Sequence, residues 1–275
     1  MARVAATHTR LTGRLTGPLT GRLVGIAVEL WLPALLFTGW WFASRGSGSL
    51  YFVGLDAILG AFRDDWLGPG AAVNVLSSLR NLAEGFLLAA LLGVVLGTVL
   101  GLVRPLRDAV SPILEFLRSV PGVALLPIGL LIFGIGTEMK VSLIVYGSVW
   151  PILLNTVDGV RSVDATKLEV LRSYRVPAHL RILGVVLPSA APRIMVGLRT
   201  SLSIAITIIV FSEMIGSTDG IGYAILQAQR NFEIPQMWAG MLALGVIGYL
   251  LNIGFRGVEQ LVLRRHRAMN ATPGS

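Results

Sequence analysis

The sequence predicts an all-α integral membrane protein with six transmembrane helices. Three observations predict it: a charge-poor apolar composition, uncharged runs of bilayer length, and basic residues gathered on alternate connections. Of the 275 residues, 54% are hydrophobic and only 14% charged, far from the balance of a soluble domain. The charges cluster, leaving uncharged runs over residues 85–103, 119–137, 141–157 and 234–255. A bilayer core needs about 20 apolar residues in helical form. Two further spans, 23–44 and 194–212, each tolerate one charge, Glu29 and Arg199.

The net charge of +8 is distributed as membrane topology rather than as a nucleic-acid patch. With the N-terminus in the cytoplasm, 18 of the 23 basic residues fall on the inner side of six spans, as the positive-inside rule requires. Both termini are then cytoplasmic. Nucleic acid as a partner is not expected, because interleaved aromatics and a soluble domain to carry them are missing. The predicted organisation is a basic tail (1–23), a membrane domain (24–262) and a short tail (263–275). "THTRLTGRLTGPLTGR" (Thr7–Arg22) is an imperfect basic repeat, suited to lie beside anionic lipid.

Each element has its own signature. In the external connection 45–80, "GLDAILGAFRDDWL" reads as an amphipathic helix at the outer surface. The second span carries Gly93, Gly97 and Gly101 at four-residue intervals. They share a helix face on which another helix can approach closely, within the chain or from a second copy. Pro112, Pro121, Pro127, Pro151, Pro188 and Pro192 disturb helices by removing backbone donors. Broken backbone is tolerated in lipid only where protein or a water-filled cavity satisfies it, so these prolines point to a translocation path or to simple kinks.

Residues 158–188 break the apolar pattern. "KLEVLRSYRVPAHLRILGVVLP" (Lys167–Pro188) carries Lys167, Glu169, Arg172, Arg175, His179 and Arg181. Asp164 or Thr166 suits a helix start, and Thr166 with Glu169 fits a capping box. Leu168, Leu171 and Tyr174 recur every three residues as an apolar stripe. The helix must end near Tyr174, since Pro177 follows and suits the first turn of a second helix. The result is a cation-rich helix–turn–helix projecting into the cytoplasm, a form that suits docking into another protein.

This loop resembles that of binding-protein-dependent ABC importer permeases, whose pattern is E-A-A-x3-G-x9-I-x-L-P. Glu169, Leu187 and Pro188 match it. Val170 and Leu171 replace the two alanines, Val185 replaces isoleucine, and Arg175 stands at the glycine. That glycine permits a left-handed turn, where a side chain costs roughly 1–2 kcal/mol. The likeness extends through "SLRNLAEGFLLAALLGVVLG" (Ser78–Gly97), "LRSVPGVALLPIGLLIFGIG" (Leu117–Gly136), "WPILLNTVDGVRSVD" (Trp150–Asp164), "VLPSAAPRIMVGLR" (Val186–Arg199) and "SEMIGSTDGIGYAI" (Ser212–Ile225). These segments are similar to the nitrate, sulfonate and taurine importers and their aromatic-acid and pyrimidine-precursor relatives. The resemblance, over roughly residues 50–262, implies the ABC importer permease fold and a permease subunit working with a second permease copy. It also implies an extracytoplasmic substrate-binding protein and an ATP-binding subunit that docks on the loop. Asp164, Thr166, Leu168, Glu169, Leu171, Arg172, Tyr174, Arg175 and His179 would then form the coupling surface.

The chain is not expected to hydrolyse ATP. A phosphate-binding loop needs G-x-x-x-x-G-K-[ST], and the two lysines, Lys140 and Lys167, follow Met139 and Thr166. ATP and Mg²⁺ are expected on the partner, and no cofactor in this chain. With no cysteine and three scattered histidines, a metal site is not expected. Thr200, Ser203 and Thr207 form one polar stripe on the fifth span, meeting solute or bonding back to their own helix. Glu213 follows at its outer end, toward the path or toward water. An ion-coupled secondary transporter is the alternative. It would need ionisable groups deep in the spans, and Glu29, Glu84, Arg199 and Glu213 all read as lying toward span ends.

Overall fold

The computed structural model describes residues 31–32, 34–45 and 51–270. The chain divides into two compact units, residues 1–59 and 60–275. In the first, residues 34–44 form a helix, α1. The Trp40 indole donates to the Val53 carbonyl at 3.1 Å and its ring lies 4.8 Å from Phe52. Residues 23–30 and 33 of the expected span 23–44 lie outside the described residues. The predicted amphipathic helix forms as α2 (Leu55–Trp66), with Asp56 in its first turn and Arg63 in its last, complementing the helix dipole.

The second unit is built from α3 (Pro69–Leu102), α4 (Arg104–Ser119), α5 (Leu126–Phe133), α6 (Thr137–Arg161), α7 (Ala165–Ser173), α8 (Ala178–Arg181), α9 (Leu187–Gly216), α10 (Ile221–Arg230) and α11 (Ile234–Asn270). No strand occurs among the described residues. Among the described residues, four helical stretches are long and apolar enough to cross a membrane: Ala71–Leu102, Thr137–Arg161, Ala178–Gly216 and Ile234–Arg264.

The expected single span over 119–137 is corrected. Helix α4 stops at Ser119, a 3-10 turn runs over Gly122–Leu125, and the chain bends by 78° into α5. Pro121, extended at φ −62° and ψ 130°, starts the turn. Pro127 then sits in the first turn of α5, where its missing N–H does no harm. Gly134 ends α5 at φ +71°, a left-handed conformation open to glycine. Eight residues of α5 cannot cross a 30 Å core on their own; only the bent pair together would make a fifth span.

Helix α6 is the centre of the unit. The glycine stripe of α3 lies against it, and packs within the chain. A Cβ on Gly85, Gly93, Gly97 or Gly101 would meet Ile144, Ile152, Thr156 or Val160 at 2.7–2.8 Å. These pairs advance together along both helices, so α3 and α6 run parallel. On the other side α9 runs antiparallel: Gly159 faces Ala190, Gly197 faces Pro151 and Ile152, and Gly147 faces Ile204 and Ile208. Lipid tails are as apolar as leucine, so association must come from close van der Waals contact, which small residues permit. The bulky residues of α3 point outward instead, with Leu87, Leu91, Leu96 and Val99 exposed. The central core gathers Leu82, Leu126, Met139, Leu143, Ile144, Ala205, Ile208 and Ile209.

Candidate functional site

Three features stand out: a projecting loop, a cleft beside the bend, and a polar clasp at the opposite end of α6 from the loop. The loop follows α6. Asp164 caps α7, its carboxylate accepting from the Thr166 N–H at 2.9 Å. Thr166 therefore lies inside the helix rather than capping it. The helix ends in a Schellman turn: the Val176 N–H donates to the Leu171 carbonyl at 3.0 Å and the Arg175 N–H to the Arg172 carbonyl at 2.9 Å. This geometry places its pivot residue in the left-handed region, and Arg175 has φ +52°. The turn is built as a glycine would build it, with an arginine in its place. Pro177, at φ −55° and ψ 145°, starts α8.

The apolar stripe does not hold together. Leu168 turns inward onto the cluster of Val160, Val186, Ala190 and Ile194, whereas Tyr174 is 80% exposed. Three-residue steps fall short of the 3.6-residue turn, so the stripe rotates by about 120° between Leu168 and Tyr174. The outward face instead carries Val170, Tyr174 and Leu180, with Glu169, Arg172, Arg175 and His179 exposed around them. Beyond α8, a π-helical turn at Ile182–Val186 joins the loop to α9. Pro188 cannot donate to the carbonyl four residues back, and the widened turn absorbs that register change.

The cleft, of about 400 Å³, lies between the bend and helices α6 and α9. Its walls are mostly apolar, formed by Val120, Pro121, Val123, Ile204 and Ile208, with Gly122 and Gly147 leaving room. Arg118, Trp150, Ser203 and Thr207 supply its polar groups. The Trp150 indole N–H is buried and lacks a partner. Tyr146 packs edge-on to Trp150 at 5.7 Å and donates to the Leu117 carbonyl at 2.6 Å, tying α6 to the end of α4. Of the polar stripe, Ser203 and Thr207 line the cleft and Thr200 does not. Thr200 and Thr207 both bond back to carbonyls four residues earlier, at 3.1 Å.

Glu213 stands apart from that cleft and does not face water. It is 0% exposed. One carboxylate oxygen accepts from the Ser78 hydroxyl at 2.6 Å and the other from the Gly222 N–H at 3.0 Å. The Ile221 N–H donates to Ser78 at 2.9 Å and the Gly220 N–H to Asn74 at 3.1 Å. Gly220, at φ +105°, leaves no room for a Cβ beside the Glu213 carboxylate. Lys140, 3% exposed in its side chain, donates to Ser217 at 2.8 Å and to Asp219 at 2.9 Å. That hydrogen bond and the ammonium charge hold the Asp219 carboxyl below the usual carboxylate range. The clasp thus ties the N-terminal ends of α3 and α6 and the C-terminal end of α9 to α10. Sequence reasoning missed Asn74, Ser78, Lys140 and Asp219. The available signal was a lysine immediately before the predicted span 141–157, close enough to the apolar run to need an acceptor.

The sequence profile of the family described as "Binding-protein-dependent transport system inner membrane component" matches residues 89–268. The chain belongs to this family. The permease is similar to a putative aliphatic sulfonates transport permease protein of Bacillus subtilis, 36% identical over 68% of each chain. It is 31% identical to the bicarbonate transport system permease protein of Synechococcus elongatus, over 72% of each. Among solved structures, an inward-facing conformation of the MetNI methionine ABC transporter aligns with a TM-score of 0.59 at 21% identity, covering 69% of this chain and 94% of that one. The permease therefore shares the fold of ABC importer permeases, and the span-length helices agree with an inner-membrane component.

Proposed function

We propose that the permease pairs with a second copy of itself, forms the path for a small solute, and takes its driving force from a separate ATP-binding subunit docked on residues 158–188. The observation that carries this reading is the loop itself. It is an ordered helix–turn–helix whose outward side chains, Val170, Tyr174 and Leu180, are apolar and exposed. Apolar groups held out on a projecting element suit burial against a partner. Leu168 anchors the same helix to the membrane core, so a push on α7 is transmitted to α6 and α9. ATP and Mg²⁺ belong to that partner, and a binding protein delivers the solute from outside. Both termini lie in the cytoplasm.

The cleft beside the bend is the candidate path, with Ser203 and Thr207 on its wall. Its Arg118 guanidinium is a donor, and carboxylates are missing from its lining; that suits an anion such as a sulfonate, taurine or nitrate, and aromatic or pyrimidine precursors fit its apolar walls. The names of the similar permeases, sulfonates and bicarbonate, are consistent with anions.

The test is Glu169→Lys in the assembled transporter. The variant is expected to insert in the membrane but to lose ATPase association and uptake. Unchanged uptake would refute the docking assignment.

A further inference from the structure

A second polar cleft, of about 420 Å³, opens between α9 and α11. Arg256, Glu259, Gln260, Leu263 and Arg264 line it from α11, at the spacing that puts residues on one helix face. Arg199 of α9 faces them. Three guanidiniums therefore meet a single carboxylate. That carboxylate is loosely engaged: Arg199 Nη1 lies 3.9 Å from Glu259 Oε2, beyond hydrogen-bond distance. Arg256 and Arg264 have no ion pair or hydrogen bond among the described residues. The coupling loop, the solute cleft and the polar clasp use none of these groups.

We infer that this cleft binds a phosphate-bearing anion, with the Arg256 and Arg264 guanidiniums on its oxygens and Leu263 beside any attached chain. Arginine presents a planar fork of donors that matches phosphate oxygens. Basic pockets between spans on the cytoplasmic side bind anionic headgroups. The source is an anionic phospholipid or free phosphate, which offer the same oxygens. The cytoplasmic orientation is the one element taken from the proposed function. Binding is read without uptake, so either reading can fail alone.

The test uses the purified, delipidated full-length chain in detergent, with bound lipid counted by native mass spectrometry. Phosphatidylglycerol and phosphatidylcholine are the lipid probes, and millimolar inorganic phosphate is the competitor. The wild type should retain phosphatidylglycerol over phosphatidylcholine. Arg256→Gln with Arg264→Gln should weaken that retention roughly 30-fold, about fivefold per charge near an anionic surface. Arg256→Lys with Arg264→Lys should preserve most of it, which separates lost charge from lost folding. Arg104→Gln with Arg107→Gln, also at the proposed cytoplasmic side, should change it less than twofold. Displacement by phosphate assigns the cleft to the free anion, and resistance assigns it to the lipid. Equal retention of both lipids without phosphate binding, full retention by the Gln pair, or an equal loss in the Arg104/Arg107 pair would overturn the inference.

Discussion

Replacing Gly97 by alanine tests the seam on which the whole membrane bundle rests. The new Cβ would lie 2.7 Å from Thr156 Cβ and 2.8 Å from the Leu153 carbonyl oxygen. Carbon atoms rest at about 3.5–4.0 Å, so α3 and α6 must part by roughly 0.8 Å. The carbonyl is backbone and cannot rotate away as a side chain would. A gap of that order removes roughly a quarter to a half of each contact along the seam, and the neighbouring pairs Gly93–Ile152 and Gly101–Val160 share the loss. Overpacking of this kind costs about 1–3 kcal/mol. Against it, alanine in place of a mid-helix glycine returns up to about 1 kcal/mol. The balance is a net destabilisation of about 1–2 kcal/mol. Gly254→Ala is the matched control, because nothing lies within 4 Å of its Cβ position; it should be neutral or stabilising by up to about 1 kcal/mol. Unfolding by denaturing detergent in mixed micelles, run in parallel on both variants, reads the difference. Equal stability of the two variants would refute the parallel α3–α6 seam.

Three further outcomes follow from named contacts. Asp219→Ala should destabilise the permease more than Lys140→Met, as read in the same assay. The first strands an ammonium on a side chain 3% exposed, whereas the second frees a carboxylate 45% exposed to water, and an unpaired buried charge is the costlier defect. The Asp219 carboxyl is held low by Lys140, so its stabilisation is complete above the unfolded carboxylate value of about 4. It is lost as pH falls through the lower folded value, where the unfolded chain binds the proton more readily. Asp219→Asn should therefore flatten the acid limb of a melting-temperature–pH profile, modestly because the group is half exposed; an unaltered acid limb would refute it. Finally, Arg175→Gly removes a left-handed side chain costing roughly 1–2 kcal/mol, partly offset by glycine's own entropy. Slower amide exchange at Val176, whose N–H bonds the Leu171 carbonyl, is expected; faster exchange would mean that the arginine side chain stabilises the turn.

Much of the molecule was legible along the chain. Uncharged runs of bilayer length have few folded solutions, because backbone polar groups in lipid must be satisfied within the segment. The helical class, the amphipathic α2, the small-residue face on α3 and the helix–turn–helix after α6 all follow from local composition and spacing. That the helix must stop near Tyr174 was legible from Pro177; that Arg175 takes the left-handed conformation was not, because an arginine at that position left open a turn built differently.

Other features needed the tertiary structure, because they depend on which faces meet. Spacing gives Gly93, Gly97 and Gly101 a common face but cannot name its occupant, which only the packing of α6 decides. The run 119–137 carries no charge, yet Pro121 and the Gly134 turn divide it, and hydropathy does not register backbone geometry. Glu213 reads as a carboxylate at a span end, facing the path or water. Its burial depends on Ser78 and Gly222, brought to it from a distant helix and from across a turn. One-dimensional pattern thus determined what each segment must hide from water or lipid, and three-dimensional packing decided what each hides it against.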